Sequence, residues 1–434
     1  MLLRFEVSNH RSILEPVELS MIAVDKDRLS VRSVESLSEG VLTVAGIYGP
    51  NASGKSNVIE ALAWLSIAIR RSLRTWDKFI PREPFRFDRG PSTASTYEVE
   101  MMINEVRYAY RIELNNSEVL FEGLYNYPER RRRILFEREG TEVRFRRGLG
   151  ALSGVRELLT PTTLVLSAAM RFDEYEVEPF ARSLASFGIL IPPRRTSVPG
   201  LLRAAMLGIH STGRLFEEQG SSMQQPLFEE LRYAPLESRE SALALLRFAD
   251  LGIDDVQISE FDIDESKETR RTGAYPRKQL RFIHRVLGEE LAFDLEEESA
   301  GTQMWFSLIG PTLSALVRGQ ILIFDEIDAS LHPRLSARLL ELFQDPKTNP
   351  RGAQLIFTTH DTSLLNHLNR DEVWLTEKGE NGATTLTALA EYGGDKVRRS
   401  LNLERAYLQG RFGAVPELDQ FTLRQALGLF STSG

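Results

Sequence analysis

The sequence predicts an α/β fold: a mixed sheet, an antiparallel β-meander and an inserted helical lobe. Three observations carry this. Residues 41–48, VLTVAGIY, are a β-branched apolar run that ends at a glycine-containing turn and gives way to a helical pattern. A second apolar run, from Gly319 to Phe324, ends in two adjacent acids, Asp325 and Glu326. Between these, residues 97–146 fall into five short alternating runs: YEVEMMI, VRYAYRIEL, EVLFEGLYNY, RRILFER and TEVRFRR.

The first run leads into Gly49, Pro50, Asn51, Ala52, Ser53, Gly54, Lys55 and Ser56. Asn57 follows, and Val58, Ile59, Ala61, Leu62, Leu65 and Ile69 repeat at helical spacing. Strand, GxxxxGK[ST] and helix form the complete context of a P-loop. Its glycines let backbone N–H groups wrap phosphates, and the helix N-terminus adds partial positive charge. Residues 51–57 are thus expected to bind nucleotide, Lys55 to reach the β- and γ-phosphates of ATP, and the Ser56 hydroxyl to ligate Mg²⁺. The bland alternative, a chance glycine turn, does not explain why strand and helix flank it on both sides.

The second run reads as a Walker B strand. Asp325 is expected to hold Mg²⁺ through water, and Glu326 to polarise the attacking water. A solvated pair of loop acids is the competing reading. The run before them is too apolar to end anywhere but at the carboxyl edge of a sheet, where α/β ligands bind. Upstream, Ser299, Ala300, Gly301, Thr302 and Gln303 open a helical pattern through Trp305, Leu308, Ile309, Leu313 and Leu316. A Ser and a Gly at a helix N-terminus make a second anion site. Downstream, Ala353–His360 is another buried strand, ending in a histidine.

Here the order of motifs resembles ABC-type ATPases. Ser299–Gln303, SAGTQ, resembles the LSGGQ signature with Ser299, Gly301 and Gln303 retained. Residues 329–332 fall at the D-loop, with His332 in place of the usual Asp, and His360 falls at the switch histidine. In that family the signature of one copy covers the nucleotide in the other's P-loop. The resemblance therefore implies an ABC-type P-loop ATPase fold, a two-fold dimer closed on ATP, and Glu326 and His360 as its catalytic pair. Within the family the chain is similar to the SMC, RecF and OLD branch, in particular to RloA-like proteins and the AriA subunit of the PARIS anti-phage system. The strings that carry this are Ser8–Ser12, Gly49–Ser56, the signature, Asp325–Pro333, Phe357–Asp361 and Tyr407–Pro416. It implies that Arg11 lies near the nucleotide. Glutamines 219, 224, 225, 257 and 279 do not follow a core strand as a Q-loop glutamine would, which leaves Glu98 and Glu100 as candidate replacements.

The domain organisation follows. Ser56 and Ser299 are 243 residues apart, more than a transporter subunit uses, so a lobe is inserted. Heptads of a long coiled coil are missing. Residues 1–160 are expected to form the first part of the ATPase head. Residues 161–255, helical in character with breaks at Pro192, Pro193, Pro199 and Pro235, form the inserted lobe. Residues 256–434 return to the head, with strand-like patterns at 256–263 and 278–294.

Composition bounds the function classes. The chain has 434 residues, is 42% hydrophobic and 26% charged, has no cysteine and carries a net charge of −8. A disulfide framework and a thiolate metal site are excluded. No apolar run approaches the roughly 18 residues of a membrane helix, and the start of the chain reads as a strand, so a cytoplasmic protein is expected. Of 53 basic residues only 8 are lysine, which is the mark of a GC-rich genome or of selection for planar phosphate-binding forks. The run Arg130–Arg133, with Arg144, Arg146 and Arg147, is a candidate contact for nucleic acid or an acidic partner, or else a solvated hairpin. Only 74 residues follow His360, too few for the Toprim nuclease that OLD proteins carry. No zinc-deaminase pattern occurs. The expectation is an ATPase that controls a separate effector, such as a Toprim-type nuclease, in anti-phage defence. The alternative is a RecF- or SMC-like ATPase that binds DNA itself.

Overall fold

The structure, a computed structural model, describes residues 1–191, 211–217, 238–249, 252–261, 277–392, 402–414 and 424. At its centre is a six-stranded mixed sheet in the order Gly188–Leu190, Ile321–Phe324, Gln354–Thr358, Val44–Tyr48, Val373–Lys378, Thr384–Ala388. The first five strands are parallel and the last is antiparallel. Ala45, Ile47, Ile321, Ile323 and Ile356 face one core, while Val44, Leu322, Phe324, Leu355 and Phe357 face another. A sheet covered on both faces must read as continuous apolar runs, which is why these strands show no alternation in sequence.

The first core lies under the helix Lys55–Thr75, which follows the P-loop. Its Ala and Leu residues favour the helix, and with its Ile residues they bury most of its length. On that helix packs a seven-stranded antiparallel sheet, in the order Glu142–Phe145, Arg133–Glu139, Val119–Asn126, Val106–Leu114, Ser95–Ile103, Leu2–Ser8, Val17–Ser20. The five alternating runs form five of these strands. Tyr97 stacks on Trp64 of the helix, with ring centroids 4.6 Å apart. Because side chains alternate, Glu98 and Glu100 point to the opposite face. Glu100 pairs there with Arg107 at 2.6 Å, and Glu98 lies in register with Glu6. Neither therefore replaces a Q-loop glutamine: the face they occupy is turned away from the P-loop helix.

The second core holds the helices Ala300–Arg318 and Pro333–Gln344. Ser299 caps the first of these by accepting from the Thr302 N–H, and Gly319, at φ 65°, ends it. Pro311 lies inside this helix. The buried Thr212 hydroxyl donates to the Phe306 carbonyl at 2.7 Å and accepts from the Gly310 N–H at 2.8 Å. It thus bridges the helical pair just ahead of the proline. A three-stranded antiparallel sheet, Ile253–Phe261, Arg277–Val286 and Glu289–Asp294, leads into the helix. The expected strand patterns at 256–263 and 278–294 fall on it, with residues 262–263 outside the described residues.

One boundary differs from the sequence reading. Residues 161–255 are not all an inserted helical lobe. The helices Val165–Ala169 and Glu178–Ala185 pack on the P-loop helix, and Gly188–Leu190 is the edge strand of the central sheet, beside the Walker B strand. A three-residue strand is too short for periodicity to reveal. The short helix at Val165 is held by Glu122. This carboxylate accepts from the Val165 and Leu166 N–H groups at 2.7 and 3.0 Å and from the Tyr110 hydroxyl at 2.8 Å. Burial pushes its pKa upward. The four expected proline breaks lie outside the described residues. No helix among the described residues is long and apolar enough to cross a membrane.

Candidate nucleotide site

Three adjacent parallel strands deliver the site at their carboxyl ends. Val44–Tyr48 ends at Gly49, Gln354–Thr358 leads to His360, and Ile321–Phe324 ends at Asp325 and Glu326. The loop after Tyr48 exposes Asn51 and Ala52 and buries Ser53 and Lys55. Gly54 takes φ 107°, which an L residue rarely adopts, and a Cβ there would stand 2.1 Å from the Thr384 hydroxyl. Lys55 donates to the Gly49 and Pro50 carbonyls at 2.9 and 3.0 Å, so its ammonium lies inside the loop.

The P-loop and the second acidic motif meet directly. Ser56 Oγ donates to Asp325 Oδ1 at 2.9 Å, across 269 residues of chain. Thr358 Oγ1 donates to the same oxygen at 2.6 Å. Asp325 is fully buried. A hydroxyl and a carboxylate oxygen at this spacing are hard donors, the kind Mg²⁺ takes together with water and phosphate oxygens. The residues therefore fit that ion.

Glu326 has left-handed backbone, φ 59°, and its N–H donates to Thr358 Oγ1 at 2.8 Å. His360 Nε2 lies 4.0 Å from Glu326 Oε1. Asp328 accepts from the Thr359 hydroxyl at 2.7 Å and from the His360 N–H at 3.2 Å. Glu326 and His360 thus come together, each on a loop tied to the neighbouring strand.

Ser299, Gly301 and Gln303 stand at the start of their own helix, with Gly301 against the loop that follows Glu326. Ser299 and Ala300 are exposed. Gln303 Nε2 donates to the Glu298 carbonyl at 2.9 Å, and a Cβ on Gly301 would meet the Ser330 carbonyl at 2.9 Å. His332 caps the helix Pro333–Gln344, its Nδ1 accepting from the Arg334 N–H at 3.2 Å. The departure from Asp at this position thus keeps a capping acceptor.

Arg11 is held by two carboxylates. It pairs with buried Glu60 on the P-loop helix and with Glu83 at 3.0 Å. From the same string, Ser12 reaches the loop. Its hydroxyl bonds Asn57 Nδ2 at 2.5 Å and Thr384 Oγ1 at 2.7 Å. Ser12, Asp328, Thr358, Thr376 and Thr384 received no role from the sequence reading. Thr376 bonds the Ser53 hydroxyl at 2.6 Å, and Thr384 donates to the Ser53 carbonyl at 2.7 Å. The available signal was hydroxyl residues near the ends of apolar strands. Tyr407, from the C-terminal string, stands edge-on to Tyr48 at 6.1 Å. Arg130–Arg133 fall at the turn between two meander strands, all exposed, with Arg132 over the Tyr125 ring at 4.0 Å.

Comparison with known proteins fits a P-loop ATPase. Residues 44–366 match the model of a family described as "AAA domain, putative AbiEii toxin, Type IV TA system". No curated protein matches the chain. Among solved structures it is similar to an SMC head bound to the C-winged helix domain of ScpA, at 12% identity over 89% of this chain and 97% of that one, with a TM-score of 0.42. It is also similar to the SMC head domain from Thermotoga maritima, at 13% identity over 89% and 98% of the two chains, with a TM-score of 0.38.

Proposed function

This chain belongs to that AbiEii/type IV TA family of AAA domains, and from this premise we propose that it hydrolyses ATP in a composite, ABC-type site to control a separate effector in anti-phage defence. The observation that carries the reading is the meeting of Ser56, Asp325 and Thr358, with Glu326 and His360 beside them. The residues of the loop, Asn51 to Asn57, would wrap the phosphates through their backbone N–H groups. Lys55 would leave its two carbonyl acceptors for the β- and γ-phosphates. Ser56 and Asp325 would hold Mg²⁺, which when bound neutralises charge on the phosphate oxygens. Glu326 would accept a proton from the attacking water at its carboxylate, with His360 donating toward the γ-phosphate.

The second half of the site would come from a second copy. The exposed N-terminus of the helix Ala300–Arg318 supports this, since Ser299 and Ala300 lie open at the surface. Ser299, Gly301 and Gln303 would then close on the partner's ATP, and Arg11, paired with Glu60 on the P-loop helix, would lie near the nucleotide of its own P-loop. ATP would act as interfacial glue, and hydrolysis would loosen the pair. A Toprim-type nuclease is the effector the reading favours, in the cytoplasm. A second reading, a RecF- or SMC-like ATPase that binds DNA itself, rests on exposed Arg130, Arg131 and Arg133.

Turnover of ATP by Glu326→Gln, beside its sedimentation with ATP, tests the core. Slow turnover with a trapped dimer is expected. A variant that binds ATP yet stays monomeric would refute the composite site. Purification of the native complex separates the two roles: a co-purifying nuclease supports the first, and duplex DNA that stimulates turnover without any protein partner supports the second.

A further inference from the structure

We infer that Thr358 is a positioning residue for ATP hydrolysis, setting the Glu326 carboxylate through that residue's backbone. The inference rests on the reading of Glu326 as the water-activating group. Thr358 is fully buried at the carboxyl end of its strand. A buried β position of this size suits valine, since an unbonded hydroxyl there is costly. Its hydroxyl is instead spent twice on the neighbouring motif. It donates to Asp325 Oδ1 at 2.6 Å and accepts from the Glu326 N–H at 2.8 Å. One oxygen therefore ties together the carboxylate facing Ser56 and the backbone that carries the next carboxylate.

Glu326 needs such a tie. Its φ of 59° is left-handed, a conformation that a non-glycine residue holds only when its surroundings impose it. The Ile327 N–H donates to the Thr358 carbonyl at 3.0 Å, so Thr358 grips the turn on both sides of the strained peptide. The adjacent Thr359 makes a parallel link, from its hydroxyl to Asp328, which also accepts the His360 N–H. Two successive threonines thus register the loop of Glu326 against the loop of His360. With the Thr358 hydroxyl removed, the Glu326 peptide relaxes toward right-handed backbone and its carboxylate swings off the 4.0 Å approach to His360.

The test is a cycle on the full-length protein, with turnover read against MgATP concentration. Thr358→Val should lower kcat about tenfold, the rate equivalent of the buried hydrogen bond that the hydroxyl accepts from the Glu326 N–H, while KM changes less than about twofold. Thr358→Ser, which keeps the hydroxyl, should retain kcat within about twofold. In a Glu326→Gln background, Thr358→Val should cost little more, because the carboxylate it positions is already gone. Wild-type kcat in Thr358→Val beside a slow Glu326→Gln overturns the inference alone. So does an equal loss in both backgrounds. Wild-type turnover by Glu326→Gln overturns this inference together with the catalytic reading it rests on. Should Thr358→Val melt below the assay temperature, Thr358→Cys replaces it, and the same kcat loss with unchanged KM is required.

Discussion

Replacing Gly54 by alanine should disable the phosphate loop, and the structure says how. Gly54 sits at φ 107° and ψ 13°, where an L residue meets a steric cost of roughly 1–2 kcal/mol. The new Cβ would also lie 2.1 Å from Thr384 Oγ1 and 2.9 Å from Ser12 Oγ. Thr384 must then move, and its bond to the Ser53 carbonyl is lost, at about 1–2 kcal/mol for a buried pair. The sum is about 3 kcal/mol, divided between lost stability and lost ATP affinity; taken wholly as affinity it is about a hundredfold. Thr384→Ala removes the clash but not the backbone strain. Combined with Gly54→Ala, it should therefore recover about 1 kcal/mol relative to additive single effects. Calorimetric titration with a non-hydrolysable ATP analogue, with urea unfolding alongside, measures both shares. Wild-type affinity and midpoint in Gly54→Ala would refute the argument. Strict additivity of the two changes would refute the contact with Thr384.

Three further outcomes follow from other contacts. Lys55→Ala removes the ammonium now held by the Gly49 and Pro50 carbonyls, and ATP binding should fall at least about a hundredfold; unchanged affinity in the same titration would exclude Lys55 from the cradle. Thr212→Val strips the bridge between the Phe306 carbonyl and the Gly310 N–H, so the chain should lose roughly 1–3 kcal/mol in urea unfolding, and an unchanged midpoint would mean the helix closes over Pro311 unaided. Glu372 is buried beside Arg28, and burial raises its pKa from 4.5 to about 7. The native state therefore holds a proton that the unfolded chain releases above about pH 4.5. That share of stability, of the order of 3 kcal/mol, is full below pH 4.5 and is lost as pH rises through 7. Glu372→Gln should flatten the decline in unfolding free energy between pH 5 and 8, and a variant with the wild-type slope would show that another group sets it.

How much of this was legible in the sequence depends on what each element's residues had to satisfy. The strand before Gly49, the acids after Phe324 and the five meander runs were readable because burial on two faces or on one leaves a distinct pattern. The edge strand Gly188–Leu190 was not. Three residues carry no period, and its pairing with Ile321–Phe324 is made 134 residues away. Glu98 and Glu100 looked available for a missing glutamine because sequence does not say which face of a strand looks inward; Tyr97 on Trp64 decided that. The linking hydroxyls of Ser12, Thr358, Thr376 and Thr384 stood out less for a different reason. Threonine is a normal strand residue, and only its partners distinguish a β-former from a link. Those partners lie at Asn57, Asp325 and Ser53, on the motifs that the sequence did disclose.

That division has a physical consequence for how the site responds to nucleotide. Groups that meet phosphate must be of one chemical type at one spacing, so they read as motifs. Groups that hold them need only a hydroxyl at the end of the adjacent strand, and several chain positions can supply one. Strand Gln354–Thr358 lies between the P-loop strand and the Walker B strand. Through Thr358 it touches Asp325 and Glu326, and through the residues that follow it sets His360. A displacement of the P-loop on binding ATP therefore has two routes to the acids, the direct Ser56–Asp325 bond and this strand. The C-terminal segment is placed to register the same movement, since Tyr407 packs on Tyr48 at the base of the loop and Glu377, one strand over, accepts the Ala414 N–H at 2.8 Å. Tyr407→Ala should accordingly leave the phosphate contacts intact but loosen the segment Leu403–Ala414, seen as faster amide exchange there with ATP bound. Exchange unchanged in that segment would mean that the tail is attached to the head without reading its state.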